Sequence, residues 1–303
     1  MPQPQRQDPM IARRRLRDAL RRLREAAGFT QRQVAEEMDW SLSKLIRIEA
    51  GQVTVSTTDL RALLQHYGVS APDEVGRLVT LAKSVRERAW WSVYKTVTTP
   101  THLAFVAYES SASVIRNFEP LLIPGLLQTP EYAREILRME GLDNLDDHVE
   151  LRMARQDLLT RDDGPEVHFI MDHAVIRRAV GGPAVMRRQL RHILELAKSP
   201  RVTVRIVPWW AGLYSRYRIS YAYLEFPNPD DPDVLFLEQP TDILITVEGA
   251  PDRAPSEYLA AFWEAEQLAS VALGTALLEE AVQQLSDLLE RGARHSENDE
   301  ETA

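Results

Sequence analysis

Thr30 and Ser41 each stand directly ahead of a short amphipathic run, and only Asp39 and Trp40 separate the two runs. No other feature constrains the chain as tightly. Thr30-x-x-Gln33 is a capping-box pattern, in which the threonine oxygen accepts from the third helical amide and the glutamine reaches back to the cap. Val34, Ala35 and Met38 then share one face. Ser41 caps the next helix, whose inward residues are Leu45 and Ile48, and Gly51 stops it. Two short helices joined by so brief a turn form a helix-turn-helix pattern.

The flanking sequence extends this into a compact all-α domain. Leu16, Ala19, Leu20 and Leu23 form one stripe of a helix over 13–27 that also carries seven arginines between Arg13 and Arg24 and ends at Gly28. A fourth helix is predicted from Ser56 to Tyr67 and a fifth from Pro72 to about Arg88. The domain therefore runs over 13–88, behind a flexible N-terminus of residues 1–12 and ahead of a packed connector over 89–103. Charge divides the chain at the same place. The total is −9, but residues 1–89 carry 16 Lys and Arg against 11 Asp and Glu, a net of +5, which leaves −14 for the rest. A basic head on an acidic body suits a nucleic-acid partner for the head alone.

Residues 104–290 read as an α+β domain. Helical stripes are predicted at about Leu103–Phe118, Glu131–Glu140 and Leu145–Leu159. Strands are predicted at Val167–Asp172, Val202–Val207, Ile219–Phe226, Val234–Glu238 and Ile243–Val247. Helices near Ala174–Val180 and Pro183–Lys198 separate the first two strands, and one long helix from Pro255 to about Leu289 closes the domain. Residues 291–303 read as a disordered acidic tail.

The head resembles the Xre-type, lambda-repressor-like helix-turn-helix proteins. The resemblance rests on Phe29-Thr30-Gln31, Val34-Ala35-Glu36, Leu45, Ile48-Glu49 and Gly51, with Asp39 where the family usually has glycine. It implies that the third helix enters the major groove of double-stranded DNA. Its outward residues are Ser41, Leu42, Ser43, Lys44 and Arg47. Arg47 is suited to a bidentate pair with guanine, the serines to either kind of base edge, and Leu42 to a thymine methyl. Gln31, at the start of the second helix, is the family's phosphate contact. Arg13 to Arg15 and Gln52 to Thr54 are further candidates for backbone contact.

The remainder resembles an actinobacterial family of WhiJ-like regulators, whose large domain has no assigned function. The residues that carry this are Ile115–Pro120, Ile123-Pro124-Gly125-Leu126-Leu127-Gln128-Thr129-Pro130-Glu131-Tyr132-Ala133, Arg155-Gln156, Arg177–Pro183 and Gln189-Leu190. Read physically, Thr129-Pro130-Glu131 is a helix start and Pro124-Gly125 a turn, so the motif either fixes a loop against the core or touches a ligand. His173 stands where the family usually shows a glutamate. The resemblance implies a transcriptional regulator, with a small partner protein encoded nearby as in antitoxin pairs.

No catalytic constellation is legible. The seven histidines are scattered, and no nucleophile-elbow or phosphate-loop motif occurs. The absence of cysteine excludes thiol nucleophiles, disulfides, iron–sulfur clusters and cysteine-ligated zinc, and makes a reducing cytoplasm the simplest location. No apolar stretch is long enough to span a bilayer. Tyr221 and Tyr223 read as sheet core, whereas Trp209 and Trp210 fit either core or a ligand- or partner-facing surface. The expectation is a two-domain, homodimeric, DNA-binding regulator that is not an enzyme and needs no cofactor or metal, its second domain sensing a small partner protein or ligand. The alternative is an antitoxin-like protein that acts mainly by binding its partner.

Overall fold

The computed structural model describes residues 8–228, 231–238, 243–247 and 255–301. Contacts divide the chain into two units, Met1–Val93 and Tyr94–Ala303.

The first unit contains α1 (Pro9–Ala26), α2 (Gln31–Glu37), α3 (Leu42–Glu49), α4 (Thr57–His66) and α5 (Pro72–Ser84). The caps act as their residue types dictate. Thr30 and Gln33 form the reciprocal capping box, Ser41 accepts from the Lys44 amide and Ser56 from the Asp59 amide. Asp39 takes the left-handed conformation, φ 54°, where glycine is more usual, a region that short polar side chains tolerate. Leu16, Leu20, Val34, Leu45, Leu60, Leu63, Leu64 and Leu78 fill one core. The N-terminal boundary differs from expectation. Pro9–Ala12 belong to α1, with Ile11 and Ala12 buried, because Asp8 caps the helix through the Met10 amide and also accepts from the Trp91 indole at 2.6 Å. Residues 1–7 of the expected flexible segment lie outside the described residues.

The second unit begins, after a 3-10 turn at Trp90–Tyr94, with α6 (Pro100–Ser111) and β1 (Val114–Glu119). Next come α7 (Pro130–Met139), α8 (Leu145–Arg155), α9 (Asp157–Thr160), β2 (Glu166–Asp172), α10 (His173–Arg177), α11 (Pro183–Leu196) and β3 (Val202–Val207). The chain continues through β4 (Tyr221–Glu225), β5 (Val234–Glu238), β6 (Ile243–Val247), α12 (Pro255–Leu268) and α13 (Val271–Glu301). The six strands form one mixed sheet in the order β3-β2-β1-β4-β5-β6. β1, β2 and β3 pair in parallel, and β4, β5 and β6 continue the sheet antiparallel. This unit is an α+β domain, and it follows the helical unit in sequence.

Strand alternation sends side chains into two separate cores. Ile115, Phe169, Val204, Ile206, Ala222 and Phe236 pack with residues of α6, α7, α11 and α13. On the opposite face Phe118, Ile170, Tyr221, Tyr223 and Leu235 pack with Tyr258 and Phe262 of α12. Gly274 lets α13 lie directly on the edge strand, since a Cβ there would stand 3.2 Å from the Ile206 nitrogen and the Val204 oxygen.

Three expectations are corrected. The run Leu103–Phe118 is not one helix: it breaks at Ala112, and Val114–Glu119 forms a central strand buried on both faces. The closing helix is two helices, because Ser270 caps a new start by accepting from the Leu273 amide. α13 then runs to Glu301, so helix continues through much of the segment expected to be a disordered tail. That segment contains no proline, and its glutamates favour helix.

Candidate functional site

The outward face of α3 is held by a charged network beneath it. Glu49, at the buried end of α3, accepts from Arg24 Nε of α1 at 2.7 Å with one oxygen and from Gln31 Nε2 of α2 at 2.8 Å with the other. Arg24 also donates to the Phe29 carbonyl at 2.8 Å. One carboxylate thus ties three helices together, and charge-assisted bonds of this kind fix orientation as well as stability. Gln31 is therefore engaged inside the unit while still standing at the N-terminus of α2.

Among the predicted contact residues, Ser41, Ser43 and Arg47 are exposed on α3. Among the described residues the Arg47 side chain bends back only to the Ser43 carbonyl, at 3.3 Å. Leu42 and Lys44 are half-buried. Leu42 packs against the helical core, and Lys44 pairs with Asp59 at 3.1 Å while its ammonium sits 3.6 Å over the Trp40 ring. Basic surface from α1 adjoins the loop after α3: a Cβ at Gly51, which has φ 68°, would stand 3.5 Å from Arg13 Cγ and 3.7 Å from Arg17 Cδ. Gln52 and Thr54 in that loop are exposed. Arg13, the loop and the N-terminal end of α3 offer cationic and hydroxyl groups suited to phosphate and base edges.

The second unit holds a cavity of about 790 Å³ against the β1, β4 and β5 end of the sheet. Sheet register explains its polar wall. Phe118, Tyr221 and Leu237 form one row across the three strands and point into the α12 core, so the next row, Glu119, Ser220 and Glu238, points the other way. Ser220 joins the row, its carbonyl accepting from the Glu238 amide at 3.1 Å and its hydroxyl donating to Glu119 at 2.7 Å. Burial, and then the Glu238 carboxylate, push the Glu119 carboxyl up to about 8. Glu238, exposed at the end of β5, is shifted the same way by the desolvation its surroundings impose. His102 is driven the other way, to about 3, by burial and then by the Arg155 charge, so it stands neutral. Phe105 and Phe236 stack at 3.8 Å along the apolar wall.

The Pro-Gly-Leu-Leu-Gln-Thr-Pro motif forms another side of this cavity, through Ile123, Gly125, Leu126 and Gln128. Gln189 of α11, fully buried, accepts from the Thr129 amide at 2.7 Å and donates to the Leu127 carbonyl at 2.6 Å. The Tyr132 hydroxyl accepts from the Ile123 amide, and Gln128 Nε2 donates to the Ile123 carbonyl. Gly125 leaves room for the Arg155 guanidinium, 3.5 Å from where its Cβ would be. The motif is thus a braced loop that also borders the cavity. Sequence reading found this loop and Arg155 but not Glu119, Glu238, Arg152 or His102 as members of one site. The only local signal was that Glu119 and Pro120 end the motif of β1.

The other singled-out residues lie elsewhere. His173 is buried and accepts from Arg177 Nε at 2.8 Å, beneath Trp209 and Trp210. His168 lies in β2 beside Glu166, at 3.3 Å. Tyr221 and Tyr223 are in the core, whereas Trp209 and Trp210 are 79% and 64% exposed. Among the described residues no group of three or more His, Asp and Glu is placed to hold a metal ion, and no helix is long and apolar enough to cross a membrane.

Comparison with known proteins agrees with this division. No curated protein and no solved structure matches the chain. Residues 15–78 match a family model described as a helix-turn-helix domain, which supports DNA binding by the head. Residues 103–276, more than half of the chain, match the model of a domain of unknown function (DUF5753), and the chain belongs to that family.

Proposed function

We propose that this protein is a cytoplasmic, sequence-specific transcriptional regulator that is not an enzyme, with the helical head reading DNA and the α+β domain sensing a small ligand. The observation that carries the DNA reading is the exposure of Ser41, Ser43 and Arg47 on a helix anchored from below by Glu49. The finer kinship, to Xre-type heads and WhiJ-like regulators, belongs to the same proposal and rests on the motifs quoted above. So does the homodimer, whose two-fold axis would set two copies of α3 about one helical turn of DNA apart.

The test is binding of the full chain and of Arg47→Ala to DNA from upstream of its own gene and to scrambled DNA, over a salt series. Preference for the upstream DNA by about 10³ or more, reduced about 5- to 150-fold in the variant, supports the reading. Equal, weak binding to both DNAs overturns it. The exposed Trp209 and Trp210 favour a second reading, in which the chain acts mainly by holding a small partner protein and binds DNA secondarily. Partner binding that survives Arg47→Ala but not Trp209→Ala with Trp210→Ala would select it.

A further inference from the structure

The residues around the cavity carry four carboxylates, Glu109, Glu119, Glu140 and Glu238, against three guanidinium groups, Arg152, Arg155 and Arg218. Their pairing is uneven. Arg155 is neutralised by Glu109, with bonds of 2.8 Å to each carboxylate oxygen. Arg152 is turned to the motif loop, where its Nη1 donates to Gln128 Oε1 at 2.7 Å. Among the described residues neither Glu119 nor Glu238 has a cationic side chain within 4.0 Å. Glu119 receives only Ser220 at 2.7 Å and Asn117 at 3.4 Å, both neutral donors.

The fold therefore sets two carboxyl groups in one cross-sheet row, two strands apart, on the wall of a cavity whose neighbouring surface is the stacked pair Phe105 and Phe236. Two strand spacings amount to roughly 10 Å between backbones, within reach of two glutamate side chains turned toward a common atom. A cation placed there meets two acceptors and an aromatic surface, both of which attract it. An anion would face the Glu238 carboxylate, while Arg152 donates to Gln128 and Arg218 to the Tyr217 hydroxyl. With Glu119 protonated the lining is neutral, and once Glu119 gives up its proton the single negative charge is cancelled by one positive ligand.

We propose that this cavity binds an organic cation, an apolar molecule carrying a protonated amine that is received between the carboxyl groups of Glu119 and Glu238. The volume suits a ligand larger than a free amino acid. Binding is coupled to a proton. In the empty cavity Glu119 holds its proton at pH 7, because burial and Glu238 raise it, with Arg152 as the weaker opposing charge and Asn117, Ser220 and Tyr132 as its neutral neighbours. When the ammonium arrives, the Glu119 O–H proton leaves to solvent and the carboxylate pairs with the ligand N–H. Only a link between occupancy of this cavity and DNA binding rests on the regulator reading.

Calorimetry on the full chain tests this with probes that share one aromatic body: tryptamine, tryptophol and indole-3-propionate. Tryptamine is expected to bind at least tenfold more tightly than the alcohol and the acid. Titration in two buffers of different ionisation enthalpy should show release of about one proton per tryptamine at pH 7. Glu119→Gln should abolish that release and weaken binding about tenfold or more, and Glu238→Gln should weaken binding with release retained. Thermal melting of both variants confirms that they fold. Equal binding of the three probes, none included, or a preference for the acid overturns the proposal. Amine selectivity with no effect of tryptamine on DNA affinity leaves the site standing and overturns the sensor role. DNA binding as expected without amine selectivity does the reverse.

Discussion

Arg155 and Glu109 meet through two parallel hydrogen bonds, Nε to Oε2 and Nη2 to Oε1, each 2.8 Å, and both side chains are almost fully buried. Removing one partner of such a pair strands a charge away from water. Arg155→Ala or Glu109→Ala is expected to cost about 3 to 5 kcal/mol in urea unfolding. Replacing both by Met and Leu should cost much less, and a double variant as unstable as the single ones would contradict this account.

On α3, the Arg47 side chain donates to the Ser43 carbonyl of its own helix turn, while its backbone carbonyl, which an alanine would keep, accepts from the Gln52 amide. Arg47→Ala should leave the melting temperature within about 1 °C. DNA binding should fall by about 1 to 3 kcal/mol at the preferred site and little at scrambled DNA. Gln31→Ala is expected to do something different, lowering affinity for both DNAs and also stability, since Gln31 supports Glu49. Gel-shift titration beside thermal melting separates the two.

The cavity gives stability two opposite pH slopes. Glu119 titrates near 8 in the folded chain instead of near 4.5, because of burial and then Glu238. Between those values the folded state holds a proton that the unfolded state has lost, so stability falls as pH rises and levels off above about 8. His102 titrates near 3 instead of 6.5, through burial and then Arg155. The unfolded state there takes up a proton that the folded state refuses, so stability falls as pH drops from 6.5 toward 3. Melting curves from pH 4 to 9 should show Glu119→Gln flattening the alkaline side and His102→Gln the acid side.

Gln189 satisfies two buried backbone groups of the motif loop at once. Gln189→Leu keeps the volume and removes both partners, leaving the Thr129 amide and the Leu127 carbonyl unpaired. A loss of about 2 to 6 kcal/mol is expected, at about 1 to 3 for each group. Calorimetric unfolding checks it, and a loss below about 1 kcal/mol would mean that the loop finds other partners.

Gly274→Val drives a branched side chain toward the backbone of β3, which cannot turn aside as a flexible side chain would. The expected loss is about 1 to 3 kcal/mol despite the poorer helix propensity of glycine. Faster hydrogen exchange in Val202–Val207 than in the centre of the sheet should accompany it.

The head was legible because its determinants are local. Thr30, Gln33, Ser41 and Gly51 act within a few residues of themselves, and the structure places each cap where the spacing predicts. β1 was not legible. A strand buried on both faces lacks alternation, and Val114–Glu119 follows the apolar stripe of α6 with only Ala112-Ser113 between. The α12 to α13 break likewise has no glycine or proline to announce it. The cavity was invisible for a stronger reason: Glu119 and Glu238 lie 119 positions apart and become neighbours only through the order of the strands.

That strand order also bears on synthesis. β1 is central, yet its partners begin at Glu166 on one side and Tyr221 on the other. A nascent chain that has left the ribosome only as far as α8 carries Ile115 and Phe118 on a strand with two open edges, while the helical head is already complete. Chains cut short anywhere in that interval would present an intact DNA-reading unit attached to an aggregation-prone stub.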